Sequence, residues 1–149
     1  AVQTAVFTGE TAEAKFFFLT PKARAELLPG KIARHYNKQD ARQKICVNIR
    51  GEGFTSLLTV IQTGKAGELP ECQVEKLPVK SALKGIYYPP SMAEGLKITS
   101  SDKEYVVMIC HQEVNSPTDL EEVDHCLGYG NVIVFDKRES DKAGTVLCW

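Results

Sequence analysis

The chain has 149 residues, which suits a single domain over residues 1–149, and its 18 basic and 19 acidic side chains nearly balance. Without a basic stripe or an acidic tail, the sequence predicts neither a nucleic-acid partner nor a disordered segment. The longest apolar runs, at 16–19 and 105–110, fall well short of the ~20 residues that cross a bilayer. We therefore expect no membrane span.

Most segments are short, rich in β-branched and aromatic residues, and bounded by turn residues, which is typical of strands. One exception is expected near the N-terminus, where Thr20 as N-cap and Pro21 at the first helical position predict a short helix over residues 22–28. Residues 51–53 (GEG) predict a hairpin turn. The predicted strands are residues 31–36, 45–50, 54–62, 72–78, 83–88, 96–99, 105–111 and 132–135. Residues 1–7 could be a further strand or an extended arm, and residues 16–19 are a short apolar run.

About eight short strands, spaced roughly 10 residues apart, indicate an all-β fold. We predict an eight-stranded antiparallel up-and-down β-barrel with the short N-terminal helix beside it. Closure of a barrel removes exposed sheet edges, and eight strands leave an interior that holds one small ligand.

The segment CHQEVNSPTDLEEVDHC opens with Cys110-His111 and closes with His125-Cys126. Two Cys and two His could bind zinc, but adjacent residues in a strand point to opposite faces, which argues against one ion collecting all four. A Cys-His nucleophile is also disfavoured, because no oxyanion element accompanies it. The turn-rich segment 115–119 favours a hairpin, so a Cys110–Cys126 disulfide is the preferred interpretation, with other pairings open.

Five scattered cysteines without a C-x-x-C pair are typical of an oxidising compartment, and their odd number leaves at least one free thiol. The sequence begins at Ala1 without a charged-then-apolar leader. We therefore expect a mature, secreted, extracellular chain from which a signal peptide has been removed.

Residues 101–110 (SDKEYVVMIC) and 132–141 (VIVFDKRESD) resemble the last two strands of a lipocalin, with Lys137 or Arg138 as the basic residue over the closed end of the barrel. Residues 30–32 stand where that family has its G-x-W, although Ile32 replaces the tryptophan. The short chain that finishes near Cys148 is most similar to arthropod triabin-type salivary lipocalins.

This resemblance implies a non-enzymatic protein that carries or scavenges a small hydrophobic or amphipathic ligand in its cavity. Alternatively, the same barrel could inhibit a protein target, such as a host protease, through loops such as 111–127. The resemblance also favours the Cys110–Cys126 bridge and a second bridge from Cys148 to Cys72 or Cys46. No cofactor, metal ion or catalytic residue is expected.

Alternation along the strands, with the Tyr105 face of its strand pointing inward as in the resembled family, selects the candidate lining of the cavity. The predicted ligand-binding residues are Phe54, Leu58, Ile86, Tyr88, Tyr105, Val107 and Ile133. A solid core without ligand space is the competing interpretation. We expect the acidic run at residues 121–124 to form a solvated loop, and two of the three phenylalanines at 16–18 to pack against the end of the barrel.

Overall fold

The computed structural model describes residues 2–101, 103–112, 120–137 and 145–147, and throughout these ranges the chain forms strands and turns without a helix. It follows that none of these residues belongs to a helix long and apolar enough to span a membrane. The strands are β1 (Gln3–Thr8), β2 (Ala12–Phe18), β3 (Arg24–His35), β4 (Lys38–Asn48), β5 (Thr59–Lys65), β6 (Cys72–Leu77), β7 (Lys80–Ser81), β8 (Ala93–Ser100), β9 (Lys103–Cys110), β10 (Glu121–Val123), β11 (Cys126–Gly128), β12 (Val132–Asp136) and β13 (Thr145–Leu147).

These strands form four antiparallel sheets. The largest has the order β13-β12-β9-β8-β6, two smaller sheets have the orders β1-β2-β5 and β11-β10-β7, and β3 and β4 form a two-stranded hairpin. The predicted all-β, antiparallel class is confirmed. The predicted closed barrel is not observed, because no sheet in the described ranges returns to its own first strand.

Strand β9 lies at the centre of the molecule because both of its faces are covered. Val106, Met108 and Cys110 are buried on one face, and Val107 and Ile109 pack against a second cluster on the other. Alternation with period two assigns these two sets to opposite faces of the sheet. The five-stranded sheet therefore separates two hydrophobic cores.

The first core lies between the five-stranded sheet and the β11-β10-β7 sheet, and it includes Val79, Val123 and Ile133. The two sheets approach closely at Gly95 of β8, where an added Cβ would lie 2.7 Å from Val123 Cγ2 and 2.9 Å from the Leu77 carbonyl oxygen. Glycine is required there because any side chain would push the sheets apart.

The second core joins the β1-β2-β5 sheet to the opposite face of the large sheet. Phe17, Leu19 and Leu58 pack there against Val74 and Leu96. Phe17 and Phe18 are buried and Phe16 is half-buried. The predicted packing of two of these rings against the end of a barrel is not observed, because no closed barrel forms in the described ranges.

The predicted helix over residues 22–28 is wrong, since β3 begins at Arg24. The Thr20 hydroxyl does not cap a helix: it donates to the Ser56 carbonyl oxygen at 2.9 Å and accepts from the Leu58 N–H at 2.8 Å. A turn with Lys22 at φ 63° then redirects the chain into β3. Pro29 is tolerated in β3 because the hairpin has only two strands, so a missing N–H can face an open edge.

Three further expectations are corrected by the pairing. The predicted GEG hairpin is wrong, because β4 pairs with β3 while β5 pairs with β2. Residues 83–88 form turns and a single bridge, Lys80 to Tyr87, rather than a strand. The acidic run is not a solvated loop: it contains β10, in which Glu121 and Val123 are 4% and 1% exposed.

Candidate ligand-binding cleft

Two clefts lie where β1 passes the β3–β4 hairpin, and Leu27 borders both. Their volumes are about 530 and 500 Å³. Small-molecule sites have volumes of roughly 300–1,000 Å³, so each cleft is large enough for a ligand. The larger cleft is lined by Phe7, Thr8, Leu27, Leu28, Pro29, Ala41, Arg42 and Gln43, and the smaller by Gln3, Thr4, Ala5, Val6, Ala25, Glu26, Leu27 and Ile45.

The clefts exist because β1 and β3 do not pair into one sheet. Their near ends are joined by a side chain instead, since the Ala25 N–H donates to Gln3 Oε1 at 2.9 Å. Beyond that contact the two strands are separated by a gap whose walls carry the side chains of both. The hairpin thus forms one wall of each cleft and β1 forms the other.

An aromatic row continues from the larger cleft across the β1-β2-β5 sheet. The Phe7 and Phe16 rings meet edge to face with centroids 5.7 Å apart, and the Phe16 and Phe18 rings stack at 6.4 Å. Register explains the row, because Ala5 lies opposite Phe16 and Gln3 opposite Phe18, which puts all three rings on the face of Phe7. Phe7 therefore connects the cleft to a continuous apolar surface.

The larger cleft has few polar groups, namely Thr8 on β1 and the neighbouring Arg42 and Gln43 on β4. Register puts Arg42 on the face of the hairpin that carries Leu28, and Gln43 on the face that carries Leu27. A guanidinium presents several N–H donors in a planar fork that suits a carboxylate or a phosphate. The arrangement can therefore hold an apolar body and orient an acidic head.

A separate polar cluster surrounds the buried carboxylate of Glu94, which is 3% exposed. It accepts from Ser56 Oγ at 2.8 Å and from Lys76 Nζ at 2.5 Å, and its Oε2 lies 3.1 Å from His111 Nε2. Burial opposes ionisation of Glu94, but these hydrogen bonds outweigh burial and hold its pKa below the ordinary value. The Phe54 ring covers His111 with centroids 5.1 Å apart. The cluster ties β6 and β8 to the chain segments before β5 and after β9.

The seven predicted ligand-binding residues lie in different parts of the molecule. Leu58 and Val107 pack in the second core, Ile133 and Tyr88 in the first, Tyr105 is half-buried on β9, and Phe54 and Ile86 are 55% and 62% exposed. Ile133 pairs with Met108 and so lies on the opposite face from Val107. The structure does not bring the seven together, and none of them lines either cleft.

The predicted disulfides are not formed among the described residues, where Cys46, Cys72, Cys110 and Cys126 are free. Cys110 Sγ instead donates to Glu121 Oε2 at 2.6 Å. Burial raises the pKa of the Cys110 thiol, and the hydrogen bond to Glu121 raises it further. Cys126 starts β11, which pairs with β10 rather than with β9, so the assumed hairpin between the two cysteines is replaced by a separate sheet. Cys148 lies outside the described residues.

The basic residue expected over a barrel end can be followed only in part, because Arg138 lies outside the described residues. Lys137 Nζ donates to the Asp124 carbonyl oxygen at 2.9 Å and lies 3.5 Å from its carboxylate. Asp124 and His125 both have positive φ and form the two-residue turn between β10 and β11. Lys137 therefore fixes a hairpin turn.

Sequence reasoning missed the cleft because part of its wall, including Leu27 and Leu28, comes from the segment predicted as a helix. A partial signal was present: Ala25, Leu27 and Pro29 share one face and Glu26 lies on the other, although apolar Leu28 interrupts the alternation. Period-two alternation of this kind indicates a strand with one apolar face. The Thr-Pro pair that suggested a helix start concealed it.

No group of three or more His, Cys, Asp or Glu side chains in the described ranges is arranged to hold a metal ion. Comparisons with protein-family models, with curated proteins and with solved structures find no match. The assignment of function therefore depends on the geometry of the chain itself.

Proposed function

We propose that this protein is a non-enzymatic binding protein that holds a small amphipathic ligand in the larger cleft, between β1 and the β3–β4 hairpin. The observation that carries the proposal is a cleft of about 530 Å³ whose lining combines the apolar side chains of Phe7, Leu27, Leu28 and Pro29 with the guanidinium of Arg42. This combination of apolar lining and a few convergent polar groups is typical of small-molecule sites.

The preferred ligand has a hydrocarbon body and an acidic head. Leu27 is 49% exposed, so a ligand that covered it would remove apolar surface from water at about 25 cal/mol per Å². The head would accept from the Arg42 guanidinium. This is the carrier or scavenger role implied by the resemblance to lipocalins, exercised at an open cleft rather than in a closed cup.

A dansyl-labelled fatty acid serves as the test ligand, followed by its fluorescence during titration. Leu27→Glu puts a carboxylate into the apolar wall, and we expect it to weaken binding at least 10-fold, or about 1.4 kcal/mol. Leu127→Glu is the matched control, because Leu127 is similarly exposed, at 53%, but lies on β11 away from the cleft. Loss of binding in both variants would overturn the proposal. The absence of saturable binding by the unmodified protein would also overturn it.

The role of Arg42 is tested separately by comparing the labelled acid with its methyl ester. Arg42→Gln should weaken binding of the acid and leave that of the ester unchanged, because the ester has no charge for the guanidinium to meet. Equal effects on the two ligands would show that Arg42 contributes packing and does not recognise the head.

We also propose an extracellular location, supported by the resemblance to salivary lipocalins. The four described thiols are free, so the cysteines add no support to this location. Recovery of the protein in the medium of its native cells would support this location, whereas retention inside the cells would refute it. The alternative role as a protein inhibitor through residues 111–127 falls in part on residues 113–119, which lie outside the described residues.

A further inference from the structure

The balanced charge of the whole chain conceals an uneven distribution. The segment from Arg24 to Asn48, which forms the β3–β4 hairpin, carries six basic and two acidic side chains, whereas the rest of the chain carries twelve and 17. The hairpin is therefore a local centre of positive charge on a protein that is otherwise acidic. We call its outer part, residues 31–44, the basic ribbon.

The described cations of the basic ribbon differ in their surroundings from the lysines that are held in ion pairs. Five lysines elsewhere form ion pairs with Asp or Glu, namely Lys65, Lys76, Lys80, Lys97 and Lys137. Lys31, Lys38, Arg42 and Lys44 are exposed and form no ion pair within the described ranges. Their charge is thus not neutralised by the protein.

Register distributes these cations over both faces of the ribbon. Lys31 pairs with Ala41 on one face, whereas Arg42 pairs with Gly30 and Lys44 with Leu28 on the other. Tyr36 is at the tip, beside Asn37 in a left-handed turn, and is 94% exposed. The described side chains of the ribbon are exposed apart from Asp40, so neither face is covered by the rest of the molecule.

We propose that the basic ribbon binds double-stranded DNA by entering its major groove. A two-stranded ribbon fits a groove about 12 Å wide. A groove has phosphates along both walls, which matches cations on both faces of the ribbon. A flat anionic surface such as a membrane would meet only one face and leave Lys31, or Arg42 and Lys44, without partners. Arg42 also lines the larger cleft, but Lys31, Lys38 and Lys44 do not, so replacing these three lysines tests the DNA site separately from the cleft.

Salt dependence measures the number of phosphates that are contacted. Binding to a fluorescent duplex of random sequence is followed by anisotropy between 50 and 200 mM salt, where four contacts correspond to a slope of about −3.6 in log K against log salt. That slope lowers the affinity by about 100-fold over this range. A slope near zero, or no binding at 50 mM salt, would overturn the proposal.

Charge reversal locates the contacts. The triple variant Lys31→Glu, Lys38→Glu, Lys44→Glu should bind at least 100-fold more weakly at 50 mM salt and show a much shallower slope. The matched control reverses three exposed lysines outside the ribbon, at positions 22, 84 and 103. Both variants change solvent-facing side chains, and far-ultraviolet circular dichroism checks that both remain folded. Equal losses in the two triple variants would refute a site on the ribbon.

Competition experiments identify the groove that the ribbon enters and the class of polyanion that it binds. We expect methyl green, which occupies the major groove, to displace the protein, and netropsin, which occupies the minor groove, to leave it bound. Displacement by netropsin alone would overturn the proposed mode. Heparin or anionic vesicles that bind more tightly than the duplex at equal charge concentration would assign the ribbon to another polyanion and would also overturn the proposal.

Discussion

Replacement of Glu94 by Gln is the sharpest test of the buried polar cluster, because it removes the charge and nearly preserves the shape. Three hydrogen bonds to a charged acceptor become bonds to a neutral amide at best, and each loses about 1 kcal/mol. The side chains of Lys76 and His111 are 30% and 23% exposed, so water recovers part of that loss. We expect the free energy of unfolding to fall by about 2 kcal/mol and Tm by about 4–8 °C.

Urea unfolding at neutral pH measures the change, with Glu68→Gln as the matched control. Glu68 pairs with Lys65 at 3.6 Å, but the two side chains are 66% and 79% exposed. An exposed pair of this kind contributes less than about 0.5 kcal/mol. Equal losses of unfolding free energy for the two substitutions, or no loss for Glu94→Gln, would refute the conclusion. That conclusion is that the buried Glu94 cluster stabilises the fold more than an exposed ion pair does.

The loss of unfolding free energy in Glu94→Gln should also depend on pH. Because the folded-state pKa of Glu94 is below its ordinary value, the carboxylate stabilises the fold above the unfolded pKa, about 4.3, and this contribution disappears as pH falls through the folded pKa. The gap in unfolding free energy between the unmodified protein and Glu94→Gln should therefore be constant at neutral pH and narrow below about pH 4. A gap that widens on acidification would contradict the assigned direction.

Three further outcomes follow from individual contacts. Gly95→Ala should lower the free energy of unfolding by about 1–3 kcal/mol through its close approach to the facing sheet, whereas Gly30→Ala, with its nearest neighbours at 3.4 Å, should change it little in the same urea assay. Thr20→Val leaves the Leu58 N–H without its partner and should be destabilising by about 1–2 kcal/mol, a loss that Thr20→Ser should largely restore. In the folded protein, a thiol reagent followed by peptide mapping should modify buried Cys110 far more slowly than half-buried Cys46, and equal rates would show that the first core opens readily.

The absence of backbone pairing between β1 and β3 underlies both proposals. A cleft lies between β1 and the nearest part of the hairpin, and the outer part of the hairpin, the basic ribbon, has both faces in water. An isolated two-stranded hairpin is at best marginally stable in water. A ligand in the cleft and a duplex around the ribbon would each cover surface that the protein leaves open.

Sequence patterns alone were sufficient to predict the strands in those parts of the chain where local alternation and burial favour the same conformation. The predicted strands 72–78, 96–99, 105–111 and 132–135 correspond to β6, β8, β9 and β12, all in the five-stranded sheet. In β9 and β12 the β-branched residues lie on two buried or half-buried faces, so the local signal and the tertiary environment favour the same conformation. The all-β class and the antiparallel pairing followed from these segments.

Tertiary structure decided the features that depend on partners distant in sequence. Thr20 had the residue type of a helix cap, but its hydroxyl bonds to Ser56 and Leu58, which lie more than 30 positions away. Glu121 belonged to an acidic run typical of a surface loop, yet it is buried against Cys110 in a sheet that no local pattern indicated. Hydrogen bonds and burial of this kind are worth more than intrinsic propensity, and which residues supply them is known only once the chain has folded.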